Sequence, residues 1–326
     1  MWEIAGRRAG KLGNMMERVY PVEDLTTEEV FTEEVCSTYY KNGNYYPIDN
    51  PSDWAGTLYY QSSYDNAIVR ANARKTWQRV KKLPYVIGQF RWGSFDYLGE
   101  TNNWPSRCAN FGVIDVAGIP KDHFYLYQSL WTEDPMVHIL PHWTHPGKEG
   151  VKIPVVIYTN CDKVELLLNG NSLGTKEYQG EQLVWMVPYE AGTLEAKAYV
   201  DDQLVAEKSQ ITSGNPSKIN FIPDKTSIKA NRTDVVHVMV EIVDENNIHC
   251  PDASIPLNFE LNGPGKILGV DNGDPTDLSD YKSNTRKTFH GKAMILIQAG
   301  SEPGTIMLKA ASPDVESSVL EISSRN

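Results

Sequence analysis

From about Trp131 to the C-terminus, the sequence is a series of short segments in which apolar and polar residues alternate. Two-residue turn sequences separate several of these segments, as at Asn169-Gly170 and Asp201-Asp202. Alternation with a period of two is typical of strands that bury one face, and such turns join neighbouring antiparallel strands. Many short strands at this spacing predict that this part of the chain forms β-sandwiches.

A linker divides the strand-rich region in two. Residues 212–217, TSGNPS, have the composition of a flexible connection. The strand-rich regions on either side of this linker have similar alternating patterns but share no clear sequence repeat. We therefore predict two different immunoglobulin-like β-sandwich domains, over residues 134–213 and 214–326.

The sequence before residue 134 alternates helical and strand signals instead. Residues 65–83 carry apolar side chains near helical spacing, and Pro84 ends that pattern. Residues 85–92 are predicted to form a buried strand, residues 110–118 a second strand and residues 121–131 a second helix. This order is typical of an α/β fold and predicts a separate domain over residues 1–133.

The hydrophobic content, net charge and cysteine spacing of the chain argue against some classes of function. Of the 326 residues, 40% are hydrophobic, which is enough for a core, and the formal net charge is -11. Because nucleic acids and anionic membranes attract basic surfaces, neither is an expected partner, and a neutral or polar ligand is favoured. The four cysteines form no CxxC pair, so no zinc knuckle is predicted.

Aromatic and acidic residues are concentrated directly after the predicted strand over residues 85–92. Trp92, Phe95, Asp96 and Glu100 lie where parallel α/β folds place functional side chains, just past the carboxyl end of a strand. An indole beside carboxylates suits a sugar, which offers an apolar ring face and hydroxyl donors. The alternative is a strand end followed by a packed turn.

The same stretch carries a resemblance to a known family. Residues 88–100, GQFRWGSFDYLGE, resemble the phrase G-x-F-x-W-T-G-F-D-Y-L-G-E near the end of the catalytic barrel in family 2 glycoside hydrolases, the β-galactosidases. Residues 61–66, 104–131 and 137–143 resemble the preceding loop, the last strand and helix, and the lead into the next sandwich. The last domain resembles immunoglobulin-like modules appended to such enzymes.

The resemblance implies an incomplete (β/α)8 (TIM) barrel followed by two immunoglobulin-like β-sandwich domains. A complete barrel needs ~250 residues, whereas only the first 133 residues precede the first predicted sandwich. We therefore expect that an N-terminal portion is missing, or that the chain associates with itself or a partner to cover the exposed barrel. The resemblance also implies a periplasmic or secreted parent protein, although the first residues lack the apolar stretch of a signal peptide.

Glu34 is the residue that the resemblance implies as the nucleophile. Retaining glycosidases use two carboxyl groups roughly 5 Å apart, one attacking the anomeric carbon and the other transferring a proton. The family's nucleophile opens a motif like S-E-T-A-S-A-V-S-S-R-G, and Glu34 precedes Gly43 at the same interval. Asn42 stands where the family has arginine. The alternative is that Glu33 and Glu34 belong to a solvated acidic stretch.

The proton-transferring partner has no counterpart in the sequence. The family places it in a phrase like M-W-S-I-G-N-E, and the chain begins similarly but has Gly6 and Arg7 at the decisive positions. We therefore expect this chain alone to lack a complete catalytic pair.

By resemblance, the site binds a saccharide with β-linked galactose and uses no cofactor or metal. Trp92 is the floor for the galactosyl ring with Phe95 and Asp96 beside it, while Tyr64 and Asp65 come from a neighbouring loop. The predicted function is retaining hydrolysis of terminal β-galactosides. The alternatives are a non-catalytic fragment or accessory saccharide-binding module, and a β-glucuronidase.

Two other groups of residues invite a metal interpretation. His138, His142 and His145 are spaced like ligands, but Pro141 would break a helix that aligned them, so a joint between domains is favoured. The acidic loop over residues 271–280 could hold calcium. It lacks the spacing of an EF-hand, so a solvated turn is the favoured prediction.

Overall fold

The computed structural model describes residues 77–78, 80–88, 90, 93–99, 107–109, 112–180 and 183–326, and the backbone of 40–41 and 44–45. The chain divides into two compact units. The first unit extends to Thr212 without Val116–Ile119, and the second unit comprises Val116–Ile119 and Ser213–Asn326. Within the described residues, no helix has the length and apolar character needed to cross a membrane.

In its described residues, the first unit contains one complete helix, several very short strands and a β-sandwich. Part of the helix predicted over residues 65–83 is also present, since Trp77, Gln78, Val80 and Lys81 are helical. In chain order the elements are β1 (Tyr40–Lys41), β2 (Asn44–Tyr45), β3 (Tyr97–Leu98), β4 (Cys108–Ala109), α1 (Asp122–Trp131), β5 (Val137–Leu140), β6 (Lys152–Thr159), β7 (Lys163–Leu168), β8 (Asn171–Glu177), β9 (Leu183–Pro188), β10 (Thr193–Val200) and β11 (Gln203–Ile211).

The sandwich of the first unit consists of two antiparallel sheets, with strand orders β5-β6-β9 and β11-β10-β7-β8. Alternate residues of β7 and β10 are buried, as the period-two pattern requires, and they share a core with β6 of the other sheet. Asn169 and Gly170 have positive φ angles of 51° and 78°, which fit the tight hairpin between β7 and β8. The prediction of a β-sandwich in this region is confirmed.

The second unit is a further β-sandwich. Its sheets have strand orders β12-β14-β18-β16 and β13-β20-β19-β15-β17. Each fully buried aliphatic side chain of its core contributes roughly 1.5–3 kcal/mol, and alternate residues of β14 and β18 supply many of them. The strands are β12 (Lys218–Pro223), β13 (Ser227–Lys229), β14 (Val235–Val243), β15 (Pro256–Asn262), β16 (Gly265–Asp271), β17 (Thr285–Lys287), β18 (Lys292–Ala299), β19 (Gly304–Ala311) and β20 (Ser318–Arg325).

The α/β pattern before residue 134 is only partly present in the described residues. The predicted helix over residues 121–131 is confirmed as α1. The buried strand predicted over residues 85–92 is not found, because its described residues form no strand and Tyr85, Ile87 and Phe90 are exposed. A barrel strand is buried only between paired neighbours, and none pairs with this segment in the described part of the chain. The incomplete barrel remains a prediction.

Candidate functional site

Two of the six predicted site residues have a described environment. Phe95 and Asp96 lie in the segment over residues 93–99, directly before β3. The other predicted site residues lie outside the described residues: Glu34, Tyr64, Asp65 and Trp92.

Phe95 and Asp96 face different environments although they are neighbours in the chain. Phe95 forms a parallel bridge with Ile114, and the backbone N–H of Asp96 donates to the Ile114 carbonyl at 2.9 Å. Successive side chains of an extended segment point to opposite sides. The Phe95 residue is 55% exposed, whereas the Asp96 side chain is only 4% exposed. The segment therefore presents an aromatic ring to solvent and anchors a carboxylate inside.

The Asp96 carboxylate is held by two donors. Its Oδ1 accepts a hydrogen bond from the Gly112 backbone N–H at 2.8 Å and another from the Lys121 ammonium at 2.7 Å. Burial raises the pKa of Asp96, while Lys121 and the Gly112 N–H act in the opposite direction without cancelling that rise. We refer to Asp96, Gly112 and Lys121 as the Asp96 cluster. It connects three separate segments of the first unit.

Gly112 is needed in this cluster because of close backbone contact. A Cβ at this position would lie 2.2 Å from the backbone nitrogen of Asp96 and 2.2 Å from the carbonyl carbon of Phe95. Real Cβ atoms do not approach backbone atoms so closely, so a side chain here must push the two segments apart. The sequence gives no signal for this requirement beyond the glycine itself.

We expect Gly112→Ala to separate residues 95–96 from residues 112–114 and to break the Asp96 N–H bond to Ile114. Amide hydrogen exchange at Asp96 should then become faster. Gly93→Ala is the matched control, because its Cβ would meet no atom closer than the Phe95 carbonyl oxygen at 3.6 Å. Equal exchange rates at Asp96 in wild type and Gly112→Ala would contradict the close contact.

Helix α1 fixes the position of Lys121. The backbone N–H of Lys121 donates to the Val113 carbonyl at 2.9 Å, and Asp122 lies in the first helical turn, where a negative charge suits the helix dipole. The Asp122 carboxylate contacts His138 of β5 at 2.8 Å. Tyr125 stacks on the same imidazole with ring centroids 3.9 Å apart. The sandwich thus anchors α1, and α1 carries the lysine that reaches Asp96.

The three histidines do not form a common site in the structure. His138 is engaged by Asp122 and Tyr125, whereas the rings of His142 and His145 stack on each other 4.7 Å apart. Residues 137–140 form β5 and not a helix, so there is no helical face for Pro141 to interrupt. In the described part of the chain, no group of three or more His, Cys, Asp or Glu side chains is arranged to hold a metal ion.

The acidic loop over residues 271–280 surrounds an arginine from β17. Arg286, whose side chain is 0% exposed, donates to Asp277 Oδ2 at 2.8 Å and to the carbonyls of Val270 and Asp280 at 2.9 and 3.0 Å. The expectation of a solvated turn is wrong at the start of the loop, where Asp271 and Asn272 are buried. The guanidinium supplies the positive charge that a cation would bring.

Comparisons with known proteins agree with this architecture. Residues 219–321 match the family described as glycoside hydrolase family 2 C-terminal domain 5, and residues 150–206 match a domain of unknown function, DUF4982. A β-galactosidase from Bacteroides ovatus is 39% identical over 285 residues, which cover 84% of this chain and 33% of the relative. A putative β-glucuronidase from Formosa agariphila is 38% identical over 301 residues, covering 89% and 28%.

A solved structure shows the same fold. The crystal structure of a β-glycosidase from Bacteroides vulgatus superposes with a TM-score of 0.80 at 49% identity, covering 85% of this chain and 35% of that chain. The chain therefore spans about a third of the length of these relatives. Residues 219–321 therefore match a C-terminal domain of glycoside hydrolase family 2, and the chain as a whole is similar to about a third of the length of enzymes that carry glycosidase names.

Proposed function

We propose that the protein containing this chain hydrolyses terminal β-galactosides with retention of configuration. The observation that carries the proposal is the exposed Phe95 ring, adjoining the anchored Asp96, in the stretch that resembles the late barrel segment of the family. An aromatic ring open to solvent can stack on the apolar face of a sugar. The name of the Bacteroides ovatus relative supports galactose as the sugar.

Glu34 is the proposed nucleophile, which attacks the anomeric carbon and forms the covalent glycosyl intermediate. Trp92 and Phe95 are proposed to contact the sugar ring, with Tyr64 and Asp65 on a neighbouring loop. The sequence-based role of Asp96 beside the sugar is revised, because its carboxylate is buried beneath Phe95. The second carboxyl group has no counterpart in the sequence of this chain. A complete catalytic pair therefore requires a glutamate from outside it.

The described residues on either side of Phe95 support a neutral sugar over a glucuronide. A glucuronide carries a carboxylate, which is usually bound by arginine or lysine. Residues 93–99 include no basic residue. The ammonium of Lys121 approaches this segment but is bonded to Asp96. A β-glucuronidase is nevertheless a rival that the test must separate, since three relatives carry that name, two of them as putative enzymes.

The test uses the purified chain and an aryl β-galactoside, because an activated phenolate leaves with little help from a general acid. We expect a rapid initial burst of released phenolate. The mass of the intact protein, measured by mass spectrometry, should increase by one galactosyl unit. Glu34→Gln should abolish both signals, since an amide cannot act as the nucleophile, whereas Glu33→Gln should keep them.

Other outcomes separate the alternatives. Binding of the galactoside without any burst would favour an accessory saccharide-binding module, which the missing acid/base glutamate also suggests. Reaction with an aryl β-glucuronide and not with the galactoside would favour a β-glucuronidase. A burst that persists in Glu34→Gln and disappears in Glu33→Gln would identify Glu33 as the nucleophile in place of Glu34.

A further inference from the structure

Lys121 has a role that neither its sequence context nor the family comparison assigns. Its ammonium contacts the buried Asp96 carboxylate at 2.7 Å, and its own side chain is 15% exposed. Removing one partner of a buried ion pair leaves an unpaired charge, which is strongly unfavourable. Without Lys121, the Asp96 carboxylate would have to take up a proton or turn toward water.

Such a change would act directly on Phe95. The two residues are adjacent on one extended segment, so a shift or twist of the backbone that brings Asp96 toward water also moves the Phe95 ring. The backbone bonds of this segment to Val113 and Ile114 resist that movement, and the ion pair with Lys121 adds to them. Together they hold the arrangement in which the carboxylate is inside and the ring outside.

From this geometry we propose that Lys121 is a positioning residue, which holds Phe95 in place, through Asp96, for contact with a saccharide. The inference rests on the proposed function, and it also places Asp96 beneath the sugar-binding surface and not on it. Lys121 is suited to this because α1 begins next to it and is itself tied to the sandwich through Asp122 and His138.

The test compares Lys121→Met with the conservative variant Lys121→Arg. Lys163→Met is the matched control, since Lys163 forms an ion pair with Asp202 at a hairpin turn elsewhere in the first unit. The dissociation constant for 4-nitrophenyl β-galactoside is measured by calorimetry as a function of pH, with every variant made in a Glu34→Gln background so that the ligand is not consumed. We expect Lys121→Met to weaken binding about tenfold, the size of one lost aromatic contact, and Lys121→Arg to restore it.

The pH profile separates positioning from a general loss of stability. Asp96 must be ionised to hold the ion pair, and the groups that face it are the Lys121 ammonium and the Gly112 N–H. Removing the ammonium raises the pKa of Asp96 further, so the acid limb of binding should move to higher pH in Lys121→Met. It should stay in place in Lys163→Met.

A double-mutant cycle decides whether the effect passes through Phe95. In a Phe95→Ala background, Lys121→Met should cause no additional loss of binding, because the ring that it positions is gone. Equal losses with and without Phe95, or failure of Lys121→Arg to restore binding, would overturn the proposal.

A ligand-free measurement keeps this inference distinct from the proposed function. The ring signals of Phe95 in NMR spectra should shift in Lys121→Met and remain unchanged in Lys163→Met. If wild type binds no galactoside but the ring shifts as expected, the proposed function fails while the positioning of Phe95 by Lys121 stands. Unshifted ring signals in Lys121→Met would overturn the positioning role itself.

Discussion

Replacing Arg286 with methionine is expected to lower the free energy of unfolding of the second unit by about 3–5 kcal/mol. The side chain is 0% exposed and donates to Asp277 and to backbone carbonyls of the acidic loop. Methionine preserves the apolar stem but removes every donor. The Asp277 carboxylate would then lose its positively charged partner and the buried Val270 carbonyl oxygen its guanidinium donor, and leaving a buried group unsatisfied is more costly than the bond is stabilising.

The pKa of Asp277 shows how strongly Arg286 and the neighbouring donors stabilise the charged carboxylate. Burial raises the pKa of Asp277, but hydrogen bonds from Ser279 and Arg286 outweigh this and lower it to about 2. A carboxyl group with a lowered pKa stabilises the fold above its ordinary pKa, and this contribution disappears as the pH falls through about 2. At pH 7 the Asp277 carboxyl group is charged, so replacing Arg286 removes the whole of its electrostatic stabilisation by the guanidinium.

Denaturant titration of wild type and Arg286→Met at pH 7 measures the effect. Arg325→Met is the control within the same unit, because Arg325 is exposed and its Nε donates only to the Ser323 hydroxyl at 3.1 Å among the bonds found in the structure. The control should change stability by less than about 0.5 kcal/mol. A similarly small change in Arg286→Met would show that the acidic loop is held without the guanidinium.

The sandwiches were predictable because their sequence signals are local. In β7, alternation places Val164, Leu166 and Leu168 on one face, and Asn169-Gly170 supplies the positive φ angles that the hairpin needs. Each of these features acts within a few residues. Three-residue strands such as β13 and β17 were not predicted, because a segment so short shows no period.

The predictions that failed depend on distant partners. Residues 85–92 have the composition of a buried strand, but burial requires neighbouring strands that local sequence does not specify. The candidate site likewise depends on a residue distant in the sequence. The motif drew attention to Phe95 and Asp96, but nothing in it identifies Lys121, which lies 25 residues further along the chain. Arg286 likewise enters the acidic loop from a strand beyond it, so the loop sequence alone suggested solvent or calcium.

Acidification is expected to destabilise the first unit through His145. Burial and the neighbouring His142 lower the pKa of His145 to about 3, against 6.5 for the ordinary side chain. The ring is 2% exposed and lies among His142, Trp143 and Tyr189. The folded state therefore keeps His145 neutral, whereas the unfolded chain protonates it as the pH falls below about 6.5.

The sign follows from proton binding. Between about pH 6.5 and pH 3 the unfolded state binds more protons, so stability falls with decreasing pH by at most 1.36 kcal/mol per unit. From pH 7 to pH 5 we expect a loss of about 2 kcal/mol attributable to this residue. Above pH 7 both states are neutral, and His145 should contribute no pH dependence.

His145→Gln should flatten this dependence, because glutamine retains a hydrogen-bond donor but does not titrate in this range. Unfolding free energies are measured by denaturant titration at several pH values, and the slope is compared in place of the absolute stability, which the substitution itself can lower. Some pH dependence of stability should remain in this variant because of His290 in the second unit. Burial lowers the pKa of His290 as well. The exposed His237 provides the control variant, His237→Gln. If the slope between pH 7 and pH 5 is as steep in His145→Gln as in wild type, another group must be the one that destabilises the fold in acid.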